Sequence, residues 1–285
     1  MKEYLTKKTG FLLLVLYLSV PGVHAEEFRE LNFSLFDSAK SGDLAQVQQL
    51  LEKGASVKAR DRFGNTALIY AARNGHLEVV DLLLSNGSDV NQLNVNQETA
   101  LMGASKGGHI EIVKLLVERG ADVNRESLKH LTAFMEAVYG QYASITNFLL
   151  EHGADIDVVD NSGKSALIYA AADGNTEILN LLLRKGADVN KQFGNDLTAL
   201  MWAAGYGHKG AVEMLIKAGA VTDLNDNRGR TALMMAAEGG YNDVLELLMQ
   251  HGADPAHRDK EGKTAVDLAP PGNKDQIKEL LSTAK

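Results

Sequence analysis

The stretch from Thr198 to Ala220, TALMWAAGYGHKGAVEMLIKAGA, decides the fold because the chain repeats it in altered forms. A close copy, TALIYAARNGHLEVVDLLLSNGS, occupies Thr66 to Ser88. The phrase returns every 33 residues without insertion or deletion. Its copies begin at Thr66, Thr99, Thr132, Ser165, Thr198, Thr231 and Thr264. A fixed period of this kind indicates a protein built from stacked structural repeats.

Each repeat has the pattern of two short helices followed by a loop. The Thr or Ser hydroxyl is suited to capping a first helix of about two turns, and the Ala-rich run behind it has high helix propensity. Gly75, Gly174, Gly207 and Gly240 are expected to be the left-handed residues at which the chain reverses into a second, longer amphipathic helix. Neither helix can bury its apolar side alone, so the repeats are expected to stack side by side.

The composition is that of a folded, water-soluble protein with an acidic surface. The 285 residues are 45% hydrophobic and 23% charged, with a net charge of −8. Such a surface repels phosphate groups, so neither nucleic acid nor an anionic membrane is an expected partner. The chain contains no cysteine, and its stability must therefore come from packing rather than from disulfide bonds.

The first 25 residues have the features of a cleavable secretory signal. Lys2, Lys7 and Lys8 precede an apolar run at residues 11–20, and small side chains lead to a cleavage position after Ala25. A membrane-spanning helix requires about 20 apolar residues, so cleavage is expected in preference to an uncleaved anchor. We therefore expect an exported protein that is periplasmic or, alternatively, extracellular, with no membrane association after cleavage.

The repeats resemble ankyrin repeats. The family pattern is roughly D-x-x-G-x-T-P-L-H-x-A-A-x-x-G-H-x-x-x-V-x-x-L-L-x-x-G-A-D-V-N, and residues 61–93 and 160–192 match it most fully. This resemblance implies an all-α solenoid of helix-turn-helix units with β-turn or hairpin tips.

The family pattern also divides the chain into domains. After the predicted signal peptide at 1–25, residues 26–60 form an N-terminal capping repeat and residues 259–285 a C-terminal one. The six full repeats between them, residues 61–258, are 61–93, 94–126, 127–159, 160–192, 193–225 and 226–258.

Several positions depart from the family pattern. Ala replaces the usual Pro after the Thr, and apolar side chains replace the usual His, so apolar packing is expected there, as in many bacterial members of the family. These apolar residues are Ile69, Met102, Met135, Ile168, Met201 and Met234. Residues 127–159 depart furthest, with His130 and Gln141 in place of glycines and Val138 in place of Ala, and we expect this repeat to be locally irregular or the softest. Asp196 also replaces a turn glycine.

No motif predicts catalysis, a cofactor or a metal site. Two Gly-Lys-Ser/Thr tripeptides, at 163–165 and 262–264, resemble the end of a phosphate-binding loop but lack its preceding glycine. His76, His109 and His208 recur once per repeat, where stacking would hold them about 10 Å apart, whereas zinc ligands converge to about 2 Å from one ion. A structural role for these histidines is the expected one.

The resemblance implies a non-catalytic, monomeric module that binds a protein partner of unknown identity in a concave groove formed by the tips and the first helices. Two alternatives remain, a secreted effector that acts on a host protein and an enzyme with its site in the groove. The candidate binding residues are Phe63, Tyr70, Arg73, Leu128, Leu131, Tyr139, Tyr169, Leu197, Trp202, Tyr206, Arg228 and Arg230.

For some of these candidates, packing within the protein is an alternative to contact with a partner. Tyr70, Tyr169 and Trp202 occupy equivalent positions and have the alternative of packing between first helices, whereas Tyr139, Leu197 and Tyr206 favour partner contact. A separate set of leucines is expected in the core, where truncation to Ala would cost about 2 to 5 kcal/mol. These core residues are Leu68, Leu101, Leu167, Leu200 and Leu233.

Overall fold

The computed structural model describes residues 21–283. The predicted signal peptide lies outside these described residues, except that residues 21–25 begin the first helix. The described residues form sixteen α-helices, arranged as eight consecutive pairs. In chain order these are α1 Pro21–Ser41, α2 Leu44–Glu52, α3 Ala67–Asn74, α4 Leu77–Ser85, α5 Ala100–Gly107, α6 Ile110–Glu118, α7 Ala133–Tyr139, α8 Ala143–Glu151, α9 Ala166–Ala172, α10 Thr176–Arg184, α11 Ala199–Gly205, α12 Lys209–Lys217, α13 Ala232–Gly239, α14 Asn242–Gln250, α15 Ala265–Leu268 and α16 Lys274–Thr283.

The helix pairs stack into a solenoid. Each first helix contacts the first helix of the next pair, and each second helix contacts the next second helix. One continuous apolar core runs through the stack from α1 to α16. The leucines expected in this core are all buried, namely Leu68, Leu101, Leu167, Leu200 and Leu233. The predicted all-α repeat architecture is therefore confirmed.

In each of the six full repeats, the residue before the first helix acts as the predicted cap. The Thr66 hydroxyl accepts a hydrogen bond from the Ile69 backbone N–H, and Thr198 accepts one from Met201 in the same way. The side chains at these two apolar positions, Ile69 and Met201, are each only 1% exposed. Apolar packing thus takes the place of the polar contact that the family's usual His would provide.

The loops between repeats end in hairpin tips that contact one another. In one tip the Asp226 N–H donates to the Arg230 carbonyl at 2.9 Å, and Asn225 and Thr231 form a β-bridge behind this bond. Neighbouring tips are joined by single backbone hydrogen bonds, such as that from the Asn227 N–H to the Asn195 carbonyl at 3.0 Å. These tips therefore form one edge of the solenoid.

The predicted chain reversals use left-handed residues. Gly75, Gly174, Gly207 and Gly240 have φ angles of 86°, 66°, 74° and 73°. Non-glycine residues adopt positive φ at five further positions, including Gln97, which occupies a turn-glycine position that sequence inspection did not single out. The five are Gln97, His130, Gln141, Asn195 and Asp196.

Residues 127–159 keep the regular geometry of the other repeats. This repeat has two complete helices, α7 and α8, and a closed tip in which the Ser127 N–H donates to the Leu131 carbonyl at 2.9 Å. The departures in its backbone are the positive φ angles of His130 and Gln141, 55° and 60°. The expected softness of this repeat stays a prediction.

The three recurring histidines each link their own repeat to the one before it. Nε2 of His208 lies 2.8 Å from the Ala172 carbonyl oxygen at the end of the preceding first helix. His76 and His109 make the same contact at 3.0 and 3.1 Å. These rings thus satisfy helix-end carbonyls, which is the structural role expected of them.

Asparagine side chains join the loops that follow successive second helices. The Asn124 amide donates to the Gly153 carbonyl at 2.9 Å and accepts from the Asp155 N–H at 2.8 Å. Asn91 and Asn190 form equivalent pairs of bonds. Asp157 stands at the equivalent position one repeat later and instead pairs with Lys191 at 2.8 Å.

Candidate functional site

A pocket of about 360 Å³ opens between residues 193–225 and 226–258. Tip residues and first-helix residues face each other across it, as a groove between the two would require. Five predicted binding residues line the pocket, namely Leu197, Trp202, Tyr206, Arg228 and Arg230. The remaining lining residues are Met201, Gly205, Met235, Glu238 and Gly239.

The pocket exists because one first helix lacks a side chain at a position that others fill. Gly205 is equivalent to Arg73, Lys106 and Tyr139 in earlier repeats. A Cβ atom on Gly205 would lie 3.5 Å from Cβ of Met235, which is ordinary contact distance, so a larger side chain would extend into the open space. The glycine thus leaves the neighbouring aromatic surface accessible.

Two stacked aromatic rings form one wall of the pocket. The ring centroids of Trp202 and Tyr206 are 5.8 Å apart at an interplanar angle of 15°. The Lys164 ammonium lies 4.5 Å from the Trp202 ring centroid. Tyr206 is 54% exposed, whereas Trp202 is half-buried. Contact with Lys164 and Tyr206 therefore orients Trp202, and Tyr206 is the more accessible ring.

The two arginines at the pocket rim have different surroundings. Arg230 donates to Asp226 and to Glu238, each at 3.1 Å, and its side chain is only 15% exposed. The Arg228 side chain is 66% exposed and lies 3.8 Å from the same Asp226 carboxylate. Asp226 already accepts bonds from Arg230 Nε and from both arginine backbone N–H groups. Arg230 is therefore held within the protein, and Arg228 retains donors for a partner.

Tyr139 and Tyr169 meet at a single carboxylate. Their hydroxyls donate to Oδ2 of Asp160 at 2.8 and 2.7 Å, and their ring centroids are 4.3 Å apart in an edge-to-face arrangement. Burial opposes ionisation of Asp160, but the hydrogen bonds it accepts, led by that from Tyr169, hold the pKa of this carboxyl well below its ordinary value. Burial and these same contacts raise the pKa of Tyr139. Both hydroxyls are thus engaged within the protein.

Phe63 and Tyr70 lie at a second cavity, of about 370 Å³, at the N-terminal end of the stack. The Tyr70 hydroxyl donates to Asp61 at 2.6 Å; burial and this bond raise the pKa of Tyr70. Phe33 and Phe36 of α1 complete the aromatic lining. Sequence inspection missed these two residues because the first repeat lacks most of the family pattern, and only their aromatic character marked them.

The remaining predicted residues lie apart from both cavities. Arg73 forms an ion pair with Glu98 at 2.9 Å on the first-helix side. Leu128 is 54% exposed at its tip, and Leu131 is partly buried against the core. The structure therefore groups five of the predicted residues at one pocket and distributes the others along the stack.

Among residues 21–283, no three His, Asp or Glu side chains converge in a way that could hold a metal ion. None of the helices described above is long and apolar enough to cross a membrane.

Comparison with known families agrees with this architecture. The family model described as ankyrin repeats (3 copies) matches residues 35–127, 124–193 and 190–259. These matches cover well over half of the chain, which therefore belongs to the ankyrin repeat family. A search of curated proteins found no match. Ankyrin repeats are protein-interaction modules and are generally non-catalytic.

Proposed function

We propose that this protein is a non-catalytic, exported binding module whose main contact with its protein partner is the pocket between residues 193–225 and 226–258. The observation that carries this proposal is the open aromatic and arginine surface formed by Trp202, Tyr206 and Arg228. Trp, Tyr and Arg dominate the energetics of protein interfaces because they bury a large area at a small cost in side-chain entropy. Here they stand together beside a position that lacks a side chain, Gly205.

The proposal is tested by partner capture with matched variants. Full-length protein is used to recover partners from an extract of its native compartment, in parallel with Tyr206→Ala and Arg228→Ala. Because both side chains are largely exposed, neither change should disturb folding, and each should reduce recovery of a partner severalfold, for a loss of about 1 kcal/mol or more.

Phe28→Ala provides a control for the loss of an exposed aromatic ring. Phe28 is 53% exposed, close to the 54% of Tyr206, but lies on α1 at the other end of the stack. It should leave recovery unchanged. Equal recovery by wild type, Tyr206→Ala and Arg228→Ala would show that the partner does not use this pocket.

Export is the second part of the proposal and rests on the sequence of residues 1–25. We propose that a signal peptidase cleaves after Ala25 and releases the repeats into the periplasm. Mass determination of the N-terminal peptide from fractionated native cells should find Glu26 as the first residue, in the periplasmic fraction. Recovery from the culture medium would favour the extracellular alternative, and an intact Met1 would contradict cleavage.

A further inference from the structure

We propose that the same pocket binds a short acidic peptide segment that inserts one large apolar side chain beside Trp202. This inference rests on the proposed function, because it specifies the partner chemistry of that surface. It is carried by three observations: the size and apolar floor of the pocket, the unused donors at its rim, and its continuation into a polar cavity.

The interior of the pocket suits a single apolar side chain. Its floor and walls include Leu197, Trp202 and Met235, and its volume is about 360 Å³. This value lies near the lower end of the range of about 300 to 1,000 Å³ found for pockets that enclose small ligands. An inserted Leu, Met or Phe side chain would displace water from apolar surface, whereas a whole helix would not fit.

The charges around this apolar interior favour a carboxylate. Lys164 and Arg228 come from the tips on either side of the Trp202 repeat. Lys164 lies over the rings of Trp202 and Tyr169 and forms no ion pair within residues 21–283. Arg228 shares its one nearby carboxylate with Arg230, which binds it more closely. Arg228 thus borders the pocket with unused donors, and Lys164 lies over the Trp202 ring without lining the pocket, in a chain whose net charge is −8.

The pocket continues into an adjacent polar cavity of about 280 Å³ on the side of the C-terminal repeat. Arg228, Arg230 and Glu238 line both spaces, and Lys260, Lys263, Asp259 and Glu261 lie further along. Lys263 pairs with Glu261 at 2.7 Å and Lys260 donates to the Asn227 carbonyl at 2.7 Å, so Arg228 is the cation with unused donors. An extended peptide anchored beside Trp202 can therefore follow the tips past Arg228. An acidic side chain next to the anchor would then meet the unused donors of Arg228.

The test selects peptides on the full chain. A display library of random heptapeptides is enriched on the protein, and individual synthetic peptides are titrated by the fluorescence of Trp202, the only tryptophan in the sequence. Enriched peptides should carry one large apolar residue flanked by Asp or Glu, and they should alter the Trp202 emission. Replacing the acidic residues of a selected peptide with lysine should abolish its binding.

Two variants tie the binding to the pocket. Gly205→Leu places a side chain in the open space and should weaken peptide binding about tenfold or more. Gly210→Leu is the matched control, since Gly210 is also helical but is exposed and belongs to α12, and it should bind as wild type. Arg228→Glu leaves the apolar interior intact and should weaken binding about fivefold.

Three outcomes would overturn the proposal: enrichment of basic peptides, equal binding by wild type and Gly205→Leu, or no enriched peptide. None of them decides the proposed function. Capture of a folded partner, with its loss in Tyr206→Ala, is measured separately and can succeed where short peptides fail.

Discussion

At the scale of single residues, four side chains stand where other repeats have a left-handed glycine. Gln97, His130, Gln141 and Asp196 have φ angles of 59°, 55°, 60° and 61°. This conformation brings Cβ close to the backbone and costs about 1 to 2 kcal/mol for a residue other than glycine. His130 has a compensating contact with Glu126 at 2.6 Å, whereas Gln141 is exposed and forms no side-chain hydrogen bond within the described chain.

Gln141→Gly should therefore stabilise the protein. Relief of the left-handed strain exceeds the greater entropy of the unfolded chain, and we expect a gain of about 0.5 to 1 kcal/mol in the free energy of unfolding. Urea denaturation followed by circular dichroism measures this change. In the reverse control, Gly174→Ala should destabilise, because the residue has φ of 66° and the new Cβ would lie 2.7 Å from the His208 ring. An unchanged or lower stability of Gln141→Gly would contradict the prediction.

Asp160→Asn should lower stability in a pH-dependent manner. The native carboxylate accepts bonds from Tyr139 and Tyr169, and loss of its charge should cost about 1.5 to 3 kcal/mol at pH 7. The pKa of Asp160 is lowered in the folded state, so this contribution is complete above the unfolded value of about 4 and is lost as the pH falls through the folded value. Unfolding measured at pH 7, 5 and 3 should show the same difference between wild type and variant at pH 7 and 5 and a smaller one at pH 3. A constant difference would rule out the charged hydrogen bonds as its source.

At the scale of structural elements, side-chain amides fasten successive loops together. Asn124 both donates to Gly153 and accepts from Asp155, which requires the two chemically different ends of an amide. Asp157 has two acceptor oxygens and no donor, so it cannot reproduce both bonds and pairs with the exposed Lys191 instead. The connection between residues 127–159 and 160–192 is weaker for this reason.

Asp157→Asn should restore the missing amide connection. The lost ion pair is exposed and worth little, so we expect a net gain of about 0.5 kcal/mol in stability. Asn124→Ala removes an intact connection and should cost about 1 to 2 kcal/mol. Thermal unfolding of both variants against wild type checks the two signs. Destabilisation by Asp157→Asn would mean that the Lys191 ion pair contributes more than an amide would.

The sequence predicted the elements much better than it predicted the site. The 33-residue period and the Thr and Ser caps determine where each helix begins, since both depend on contacts within one repeat. The pocket depends instead on the absence of a side chain at Gly205 and on tips from neighbouring repeats. Periodicity assigned Trp202 and Tyr169 equivalent positions, yet Tyr169 bonds to Asp160 and Trp202 lines the pocket. Such differences arise from neighbouring side chains, which the period does not specify.

At the scale of the whole molecule, stability is distributed along a stack in which each repeat contacts only its neighbours. The repeat at 127–159 combines two left-handed non-glycine residues with the Asp157 substitution. It also lies between the N-terminal cavity and the Trp202 pocket. A local opening there would separate the two ends of the solenoid.

Hydrogen exchange should locate this weak point. Amides of α7 and α8 should exchange faster than those of α9 and α10 under native conditions, because residues 127–159 combine two left-handed non-glycine residues with the missing amide connection at Asp157. Exchange followed by mass spectrometry resolves these peptides, and Gln141→Gly should slow the exchange of α7 and α8. Equal or stronger protection of α7 and α8 than of their neighbours would show that this repeat is not the softest.

The backbone hydrogen bonds between neighbouring tips also bear on how the solenoid is expected to bend. Each pair of tips shares one backbone hydrogen bond, from the Val95 N–H on the Phe63 carbonyl to the Lys260 N–H on the Arg228 carbonyl, and both of these bonds are 2.9 Å long. Some pairs add a side-chain bond, such as that from the Asn161 amide to the Leu128 carbonyl. Because the repeats are joined in series, we expect small rotations at successive links to add up along the stack. We therefore expect bending to be distributed over the repeats, with the largest share at residues 127–159.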